Sequence, residues 1–289
     1  MFGAIIGDIA GSRYEFDPVK SKDVPLFGEG STYTDDTVLT VAVANALLKA
    51  RETGGSFREI LIPEMQRLGN AHAQGEYGVK FASWLRSDDP QPYNSFGNGS
   101  AMRVSPCALI AVSLDEALAL ARASAEVTHD HTEGIKGDEA VAGAVFMADM
   151  YKTKEDIKSF VEDGHYRLGF TLDSIRGGYG FDETCQGSVP QAIVAFLESE
   201  SYEDAIRNAI SLGGDADTQA AIAGSIAWRY YADRRCEPYV ITHQMIMEES
   251  GVLDRLPAEF VQTIQAFEDV AMRRRGTYER VGRCRPIPL

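Results

Sequence analysis

The sequence predicts an all-α fold, built as a single domain of ten or more helices. Three observations carry this expectation. Apolar residues recur at three- and four-residue spacing, as in Leu114, Ala117, Leu118 and Ala121, which is the period of a helix face. Convincing period-two alternation, the mark of a half-buried strand, is scarce. The chain has 289 residues with 44% hydrophobic and 25% charged side chains. That suits one large globular domain with a full core. No repeat of fixed period and no long Pro/Ser linker divides it.

Taken in order, the elements begin with a helix that carries Gly3, Gly7 and Gly11 at i, i+4 and i+8. One of its faces is bare backbone, which reads as a surface for close helix packing. The spacing is not G-x-G-x-x-G and follows no strand, so it supports no dinucleotide-binding turn. Helices are expected over residues 38–50, 114–127, 135–151, 189–198 and 216–231, with fainter patterns over 202–212 and 257–272. The stretch Gln219 to Trp228 is almost free of bulk, so its helix should lie deep in the bundle and start at a buried point. Two polar, Gly-containing stretches, Ser87 to Gly99 and Gly164 to Gly187, read as loops able to form a site. The segment from Arg273 to Arg285 carries six arginines and reads as a solvated end that offsets acidic surface.

Composition excludes some functions. Twenty-eight basic against 43 acidic residues leave a net charge of -15, and that field repels nucleic-acid backbones and anionic lipid. A phosphate-bearing ligand would need a local counter-charge, such as a metal ion. The four cysteines lie far apart with no C-x-x-C, which argues against a zinc knuckle and for a reducing compartment. No apolar run approaches the roughly 18 residues that span a bilayer. The N-terminal stretch has no basic region ahead of its apolar residues. The expectation is a cytoplasmic protein.

Two segments resemble one another. Tyr33-Thr34-Asp35-Asp36-Thr37 opens one predicted helix, and Gly213-Gly214-Asp215-Ala216-Asp217-Thr218 opens another. Either alone reads as helix capping, because Asp and Thr accept bonds from free N–H groups and the helix dipole favours their charge. Together they offer four carboxylates and several hydroxyls, hard oxygen donors that suit Mg2+ or Mn2+ rather than zinc. If the two helix starts face each other, Thr34, Asp35, Asp36, Asp215, Asp217 and Thr218 can share a pair of ions. Gly213 and Gly214 permit the tight turn such a site needs.

Three further stretches carry candidates. Glu15, just past the first helix, reads either as a surface residue or as a general acid/base on a loop beside the metals. Phe96, Gly97, Asn98, Gly99 and Ser100 form a Gly-punctuated turn that reads as an ordinary loop or as a diphosphate cradle with a stacking aromatic. In Thr128-His129-Asp130-His131 the paired histidines lack a third zinc ligand and read as a cap or a polar core contact. Cys185 reads as structural.

In order along the chain, Gly3 to Glu15 (GAIIGDIAGSRYE), Tyr33 to Thr37 (YTDDT), Ser95 to Val104 (SFGNGSAMRV), Thr128 to Gly137 (THDHTEGIKG), Ser188 to Ile193 (SVPQAI) and Ser211 to Thr218 (SLGGDADT) together resemble the ADP-ribosylglycohydrolase family. The resemblance implies an orthogonal helical bundle with a binuclear Mg2+ or Mn2+ centre in a cleft. It implies a hydrolase acting between ADP-ribose and its acceptor, on an ADP-ribosylated protein or a small ADP-ribose conjugate. It places metal ligands on Thr34, Asp35, Asp36, Asp215, Asp217 and Thr218, and the family's loop glutamate on Glu15. Diphosphate and adenine contacts fall around Phe96 to Ser100, and a substrate-contacting histidine on His129. It also implies a monomer. Some members carry an acid where this chain has Ser95, so that role does not transfer. A metal-dependent phosphodiester hydrolase, a hydrolase of another ADP-ribose derivative and an inactive ADP-ribose-binding protein remain the alternative readings.

Overall fold

The first helix, α1 (Phe2–Gly11), buries every residue from Gly3 to Gly11. Its three glycines meet the backbone of α12 (Ala216–Ala232), which runs antiparallel to it. A Cβ on Gly3 would lie 2.3 Å from the Gly224 carbonyl oxygen, on Gly7 2.1 Å from that of Ala220, and on Gly11 2.4 Å from that of Ala216. Only hydrogen fits at such separations, and glycine leaves the backbone free to approach. The glycine stripe is therefore a packing surface along its whole length, as the spacing predicts. Ile5, Ile6 and Ile9 fill the space around the crossing, each contributing about 1.5–3 kcal/mol through burial. The Tyr202 hydroxyl donates to the Gly3 carbonyl at 2.9 Å, which ties α11 (Tyr202–Ile210) to the same pair.

The structure is a computed structural model that describes residues 1–72, 77–232, 247–248, 250–281, 287 and 289. Among these residues the chain is all-α, with thirteen α-helices and no strand. A single-residue antiparallel bridge joins Gly97 to Thr184. Around α1 and α12 stand α2 (Asp35–Thr53), α7 (Thr132–Asp149) and α10 (Cys185–Leu197). Outside them pack α3 (Phe57–Ala71), α5 (Ser105–Ile110), α6 (Leu114–Ala125), α8 (Lys154–Gly164) and α13 (Ala258–Val281). Two short helices, α4 (Val79–Leu85) and α9 (Leu172–Arg176), complete the set. No helix among the described residues is long and apolar enough to cross a membrane.

The predicted helices form, with ends set by capping. The helix expected from Val38 starts three residues earlier, because the Thr34 hydroxyl caps it by accepting from the Asp36 N–H at 3.2 Å. Five helices have no counterpart in the periodicity reading: α3, α4, α5, α8 and α9. Pro63 lies inside α3, where a proline removes a hydrogen bond. Phe57, Leu61, Met65 and Leu68 still bury one full stripe and hold the helix. The segment 164–187, expected as a loop, contains α9 and the start of α10. The stripe on α6 shifts as well: Ala117, Leu120, Ala121 and Ser124 face inward, while Leu114 and Leu118 are half-buried.

The arginine-rich end departs from expectation at one described position. Arg274 is 1% exposed, donates to the Leu109 carbonyl at 2.6 Å and pairs with Asp149 at 3.3 Å. It is a core residue and not part of a solvated end, because a carbonyl and a carboxylate meet its guanidinium inside the protein. Arg275 and Arg280, in the helix beyond it, and Arg283 and Arg285 have side chains outside the described residues. Cys107 and Cys185 are buried free thiols, and Cys236 and Cys284 lie outside the described residues.

Gly7→Ala should cost about 2 kcal/mol through overpacking of the α1–α12 contact, a drop in Tm of roughly 4–8 °C. Gly164→Ala, at a position with open space around it, should leave the Tm unchanged. Thermal denaturation of both variants checks this.

Candidate active site

The α1–α12 crossing ends where two helices start. Asp8, on the buried face of α1, is fully enclosed. Its carboxylate accepts from the Thr34 N–H at 3.0 Å, the Thr34 hydroxyl at 2.8 Å and the Thr37 N–H at 3.1 Å, and also from the Thr37 hydroxyl. Asp8 therefore satisfies free N–H groups at the start of α2, a task a capping carboxylate within that segment would otherwise perform. With capping done by Asp8 and Thr34, Asp36 is left for other use. One Asp36 oxygen accepts from the Thr218 hydroxyl at 3.2 Å, and the other is buried with no hydrogen-bond partner.

The second helix start is formed by a turn. Gly213 has φ +60, the left-handed region that glycine enters without strain. The Lys20 ammonium donates to the carbonyls of Tyr179, at 2.5 Å, and Leu212, holding this turn against the segment around Tyr179. Asp215 then stands at the start of α12, where its carbonyl accepts from the Gln219 N–H at 2.9 Å. Its carboxylate accepts from the Asn98 side-chain amide at 2.7 Å. Asp217 is 3% exposed, and one of its oxygens is buried with no partner. Glu15 follows directly on the 3-10 turn Ser12–Tyr14 that continues α1 and opens the helix-free stretch 15–34, so it stands at the start of a loop as expected. Carboxylate oxygens of Glu15, Asp215 and Asp217 lie within 4.8 Å of one another.

Such crowding is costly for bare acids. Burial, and then the neighbouring Asp217, push the carboxyls of both Asp36 and Asp215 well above the usual carboxylate range. Asp8 is pushed up to about 7 by the same two causes, against the hydrogen bonds from Thr34 and Thr37. A divalent cation removes this penalty by supplying the missing positive charge. The residues fit one: hard oxygen donors converge, and two buried carboxylate oxygens, one on Asp36 and one on Asp217, lack any other partner.

Most of these acids, though not Asp8, line a cleft of about 350 Å3. Glu15, Asp35, Asp36, Asp215, Asp217 and Thr218 all face it, and so do Gly97, Asn98, Gly99 and His129. Thr34 is not among the residues lining the cleft; its hydroxyl donates to Asp8 and accepts from the Asp36 N–H, which leaves one lone pair on its oxygen. Phe96 and Ser100 are not among the residues lining the cleft. The Phe96 ring is 45% exposed and lies against His131, centroids 5.4 Å apart. Its backbone carbonyl is bonded to the Cys185 N–H at 2.9 Å, which fixes the turn with the ring directed away. Ser100 is fully buried and donates to the Gly134 carbonyl at 3.2 Å, so it supports the turn from beneath.

The turn is anchored to the start of α10. The Asn98 N–H donates to the Glu183 carbonyl at 2.8 Å, and the Cys185 thiol donates to the Gly97 carbonyl at 3.1 Å. Cys185 is structural, as expected. His131 caps α7, accepting from the Glu133 N–H at 3.0 Å, and His129 is a buried polar contact that also faces the cleft.

Sequence reasoning missed Asp8 and the cleft-lining Tyr93, Arg103 and Glu183. Asp8 had a signal: a lone carboxylate within Phe2–Gly11, an otherwise apolar helix, is expensive to bury unless something meets it. The others come from separate loops and helices and carry no common spacing.

The chain matches the family model described as ADP-ribosylglycohydrolase over residues 1–227. It is 28% identical to ADP-ribosylhydrolase ARH3 of Gallus gallus, covering 82% of this chain and 85% of that one. The human ARH3 is 26% identical over 92% of this chain and 88% of its own length. ADP-ribosylarginine hydrolase Tri1 of Pseudomonas putida (strain GB-1) is 26% identical, covering 80% of this chain and 69% of that protein. A solved structure titled ADP-ribosylglycohydrolase-related protein complex superposes with a TM-score of 0.65 at 21% identity, covering 96% of this chain and 95% of the other, and shares the fold.

Two outcomes follow from this geometry. Mg2+ or Mn2+ should bind the wild type in calorimetric titration and raise its Tm, while Asp36→Asn and Asp217→Asn each weaken binding at least about tenfold, a loss of roughly 1.4 kcal/mol. The second concerns Asp138, buried on α7 near Arg103, whose carboxyl burial pushes up to about 8 while Arg103 pulls it down. The folded state holds this proton where the unfolded chain has lost it. Stability should therefore fall as pH rises from about 4 to about 8, by up to about 1.4 kcal/mol per pH unit. Urea unfolding of wild type and Asp138→Asn across this window checks it, since the variant should lack that part of the slope.

Proposed function

The chain belongs to the ADP-ribosylglycohydrolase family, and from that premise we propose that it is a divalent-cation-dependent hydrolase. Its reaction cleaves the bond between the anomeric carbon of ADP-ribose and an acceptor, releasing ADP-ribose. The observation that carries this reading is the make-up of the cleft that the acids line. It gathers Glu15, Asp35, Asp36, Asp215 and Asp217 together with Gly97, Asn98, Gly99 and His129, and Asn98 bonds directly to Asp215.

Thr34, Asp35, Asp36, Asp215, Asp217 and Thr218 would hold two Mg2+ or Mn2+ ions, which supply Lewis-acid assistance and orientation when bound. Asn98 keeps the Asp215 carboxylate aimed by donating to one of its oxygens. Glycosidic cleavage passes through an oxocarbenium-like state and needs a proton moved to the leaving group or from water. Glu15 is suited to this task, because it is half-buried at the cleft wall and lies among the acids. The turn 97–99 and the ring of His129 would meet the charged part of the ligand. This resolves the contrast between a net charge of -15 and a diphosphate ligand, since bound cations reverse the field locally. The similarity to ARH3 and to an ADP-ribosylarginine hydrolase supports an ADP-ribosylated substrate. Serine- and arginine-linked conjugates are the first acceptors to screen.

Free ADP-ribose is the expected product from such a conjugate in the presence of Mg2+ or Mn2+. AMP as product would mean diphosphate cleavage and would replace this reading. Glu15→Gln should lower kcat by about 10²-fold or more while ADP-ribose still binds. Calorimetric titration of ADP-ribose alongside turnover separates these effects, and unchanged turnover would remove Glu15 from the chemistry.

A further inference from the structure

We propose that Arg103 and Thr128 are positioning residues that fix the ring of His129 with its proton on Nε2, so that it offers a neutral N–H donor to an oxygen of the bound ligand. The argument is a proton count along three buried side chains. Arg103 is fully buried, and its Nη2 donates to the Ser124 carbonyl at 2.8 Å and to the Thr128 hydroxyl oxygen at 3.0 Å. A guanidinium only donates. The Thr128 oxygen is therefore an acceptor in that bond, and its own proton must go elsewhere. The remaining partner of this hydroxyl is His129 Nδ1, at 2.7 Å. Thr128 donates to Nδ1, so Nδ1 carries no proton and the ring proton sits on Nε2.

Nε2 faces the cleft. A Cβ on Gly97 would lie 3.6 Å from it, and a Cβ on Gly99 would lie 3.4 Å from it. The two glycines keep this nitrogen uncovered, since any side chain at either position would stand over it. Gly134, in the first turn of α7, lets the helix approach from the other side. A Cβ there would lie 2.8 Å from the His129 carbonyl oxygen and 2.9 Å from its Cβ. Burial, and then the nearby Arg103, hold His129 well below its ordinary pKa, which keeps the ring neutral. Tyr93, whose ring lies 6.1 Å from His129, is pushed up to about 12 by burial and stays an uncharged phenol at neutral pH. The result is a directional donor that needs no charge of its own, held through Thr128 by the Arg103 guanidinium. The state of the ring stands independently of substrate. Its role in holding ADP-ribose rests on the function proposed above.

The test is 15N NMR of the ligand-free full chain labelled at histidine, near pH 7, with the His129 signals identified by their loss in His129→Gln. Expected is an unprotonated Nδ1 and a protonated Nε2. A proton on Nδ1, or an imidazolium, overturns the proposal. Thr128→Ser should retain the Nε2–H form, and Thr128→Val should lose it, with circular dichroism confirming that each variant is folded. Retention of the form in Thr128→Val also overturns the proposal. In calorimetric titration with ADP-ribose, Thr128→Val should bind about tenfold more weakly, and Thr128→Ser should recover most of that loss. An Nε2–H ring in a protein that binds no ADP-ribose would sustain the relay and reject the proposed substrate.

Discussion

The backbone-to-backbone contact between α1 and α12 is the constraint on which the rest depends. Gly3, Gly7 and Gly11 meet the carbonyls of Gly224, Ala220 and Ala216 at distances that leave no room for a side chain. Because the helices run antiparallel, the end of α1 lies beside the start of α12. Asp8 and Glu15 come from the first, Asp215 and Asp217 from the second. The acid cluster is thus a consequence of how two apolar faces pack, and the turns around it only refine its geometry.

That packing divides labour among the carboxylates. Asp8 takes the capping of α2, a role that sequence logic assigns to the acids within that segment. Asp36 keeps an oxygen unpartnered, and so does the nearby Asp217 on α12. Such groups are costly while they remain buried and uncompensated. The fold places them where a cation can offset the cost.

The other wall of the cleft is secured from α10 and α7. Cys185 and Glu183 hold the turn around Gly97 and Asn98, and Ser100 ties it to Gly134. Asn98 crosses to Asp215, so turn and acid cluster form one connected unit. The segment 164–187 joins that unit through Tyr179, whose hydroxyl donates to the Gly187 carbonyl at 2.7 Å and whose carbonyl is held by Lys20.

The sequence by itself determined the helical class, the glycine face of α1, the two acid-bearing helix starts and the family resemblance, because each is written in local spacing. It also named ten residues that face the cleft, from Glu15 to Thr218. Periodicity did not reveal α3, α4, α5, α8 or α9, where short length or an internal proline weakens the signal and tertiary burial supplies the stability. Only the tertiary structure decided that Phe96 turns away from the cleft, that Ser100 supports it from beneath and that Arg274 belongs to the core. It alone brought Asp8 to Thr34 and Arg103 to Thr128. Those contacts join residues about 25 positions apart, and no local pattern encodes which buried donor will meet which buried acceptor.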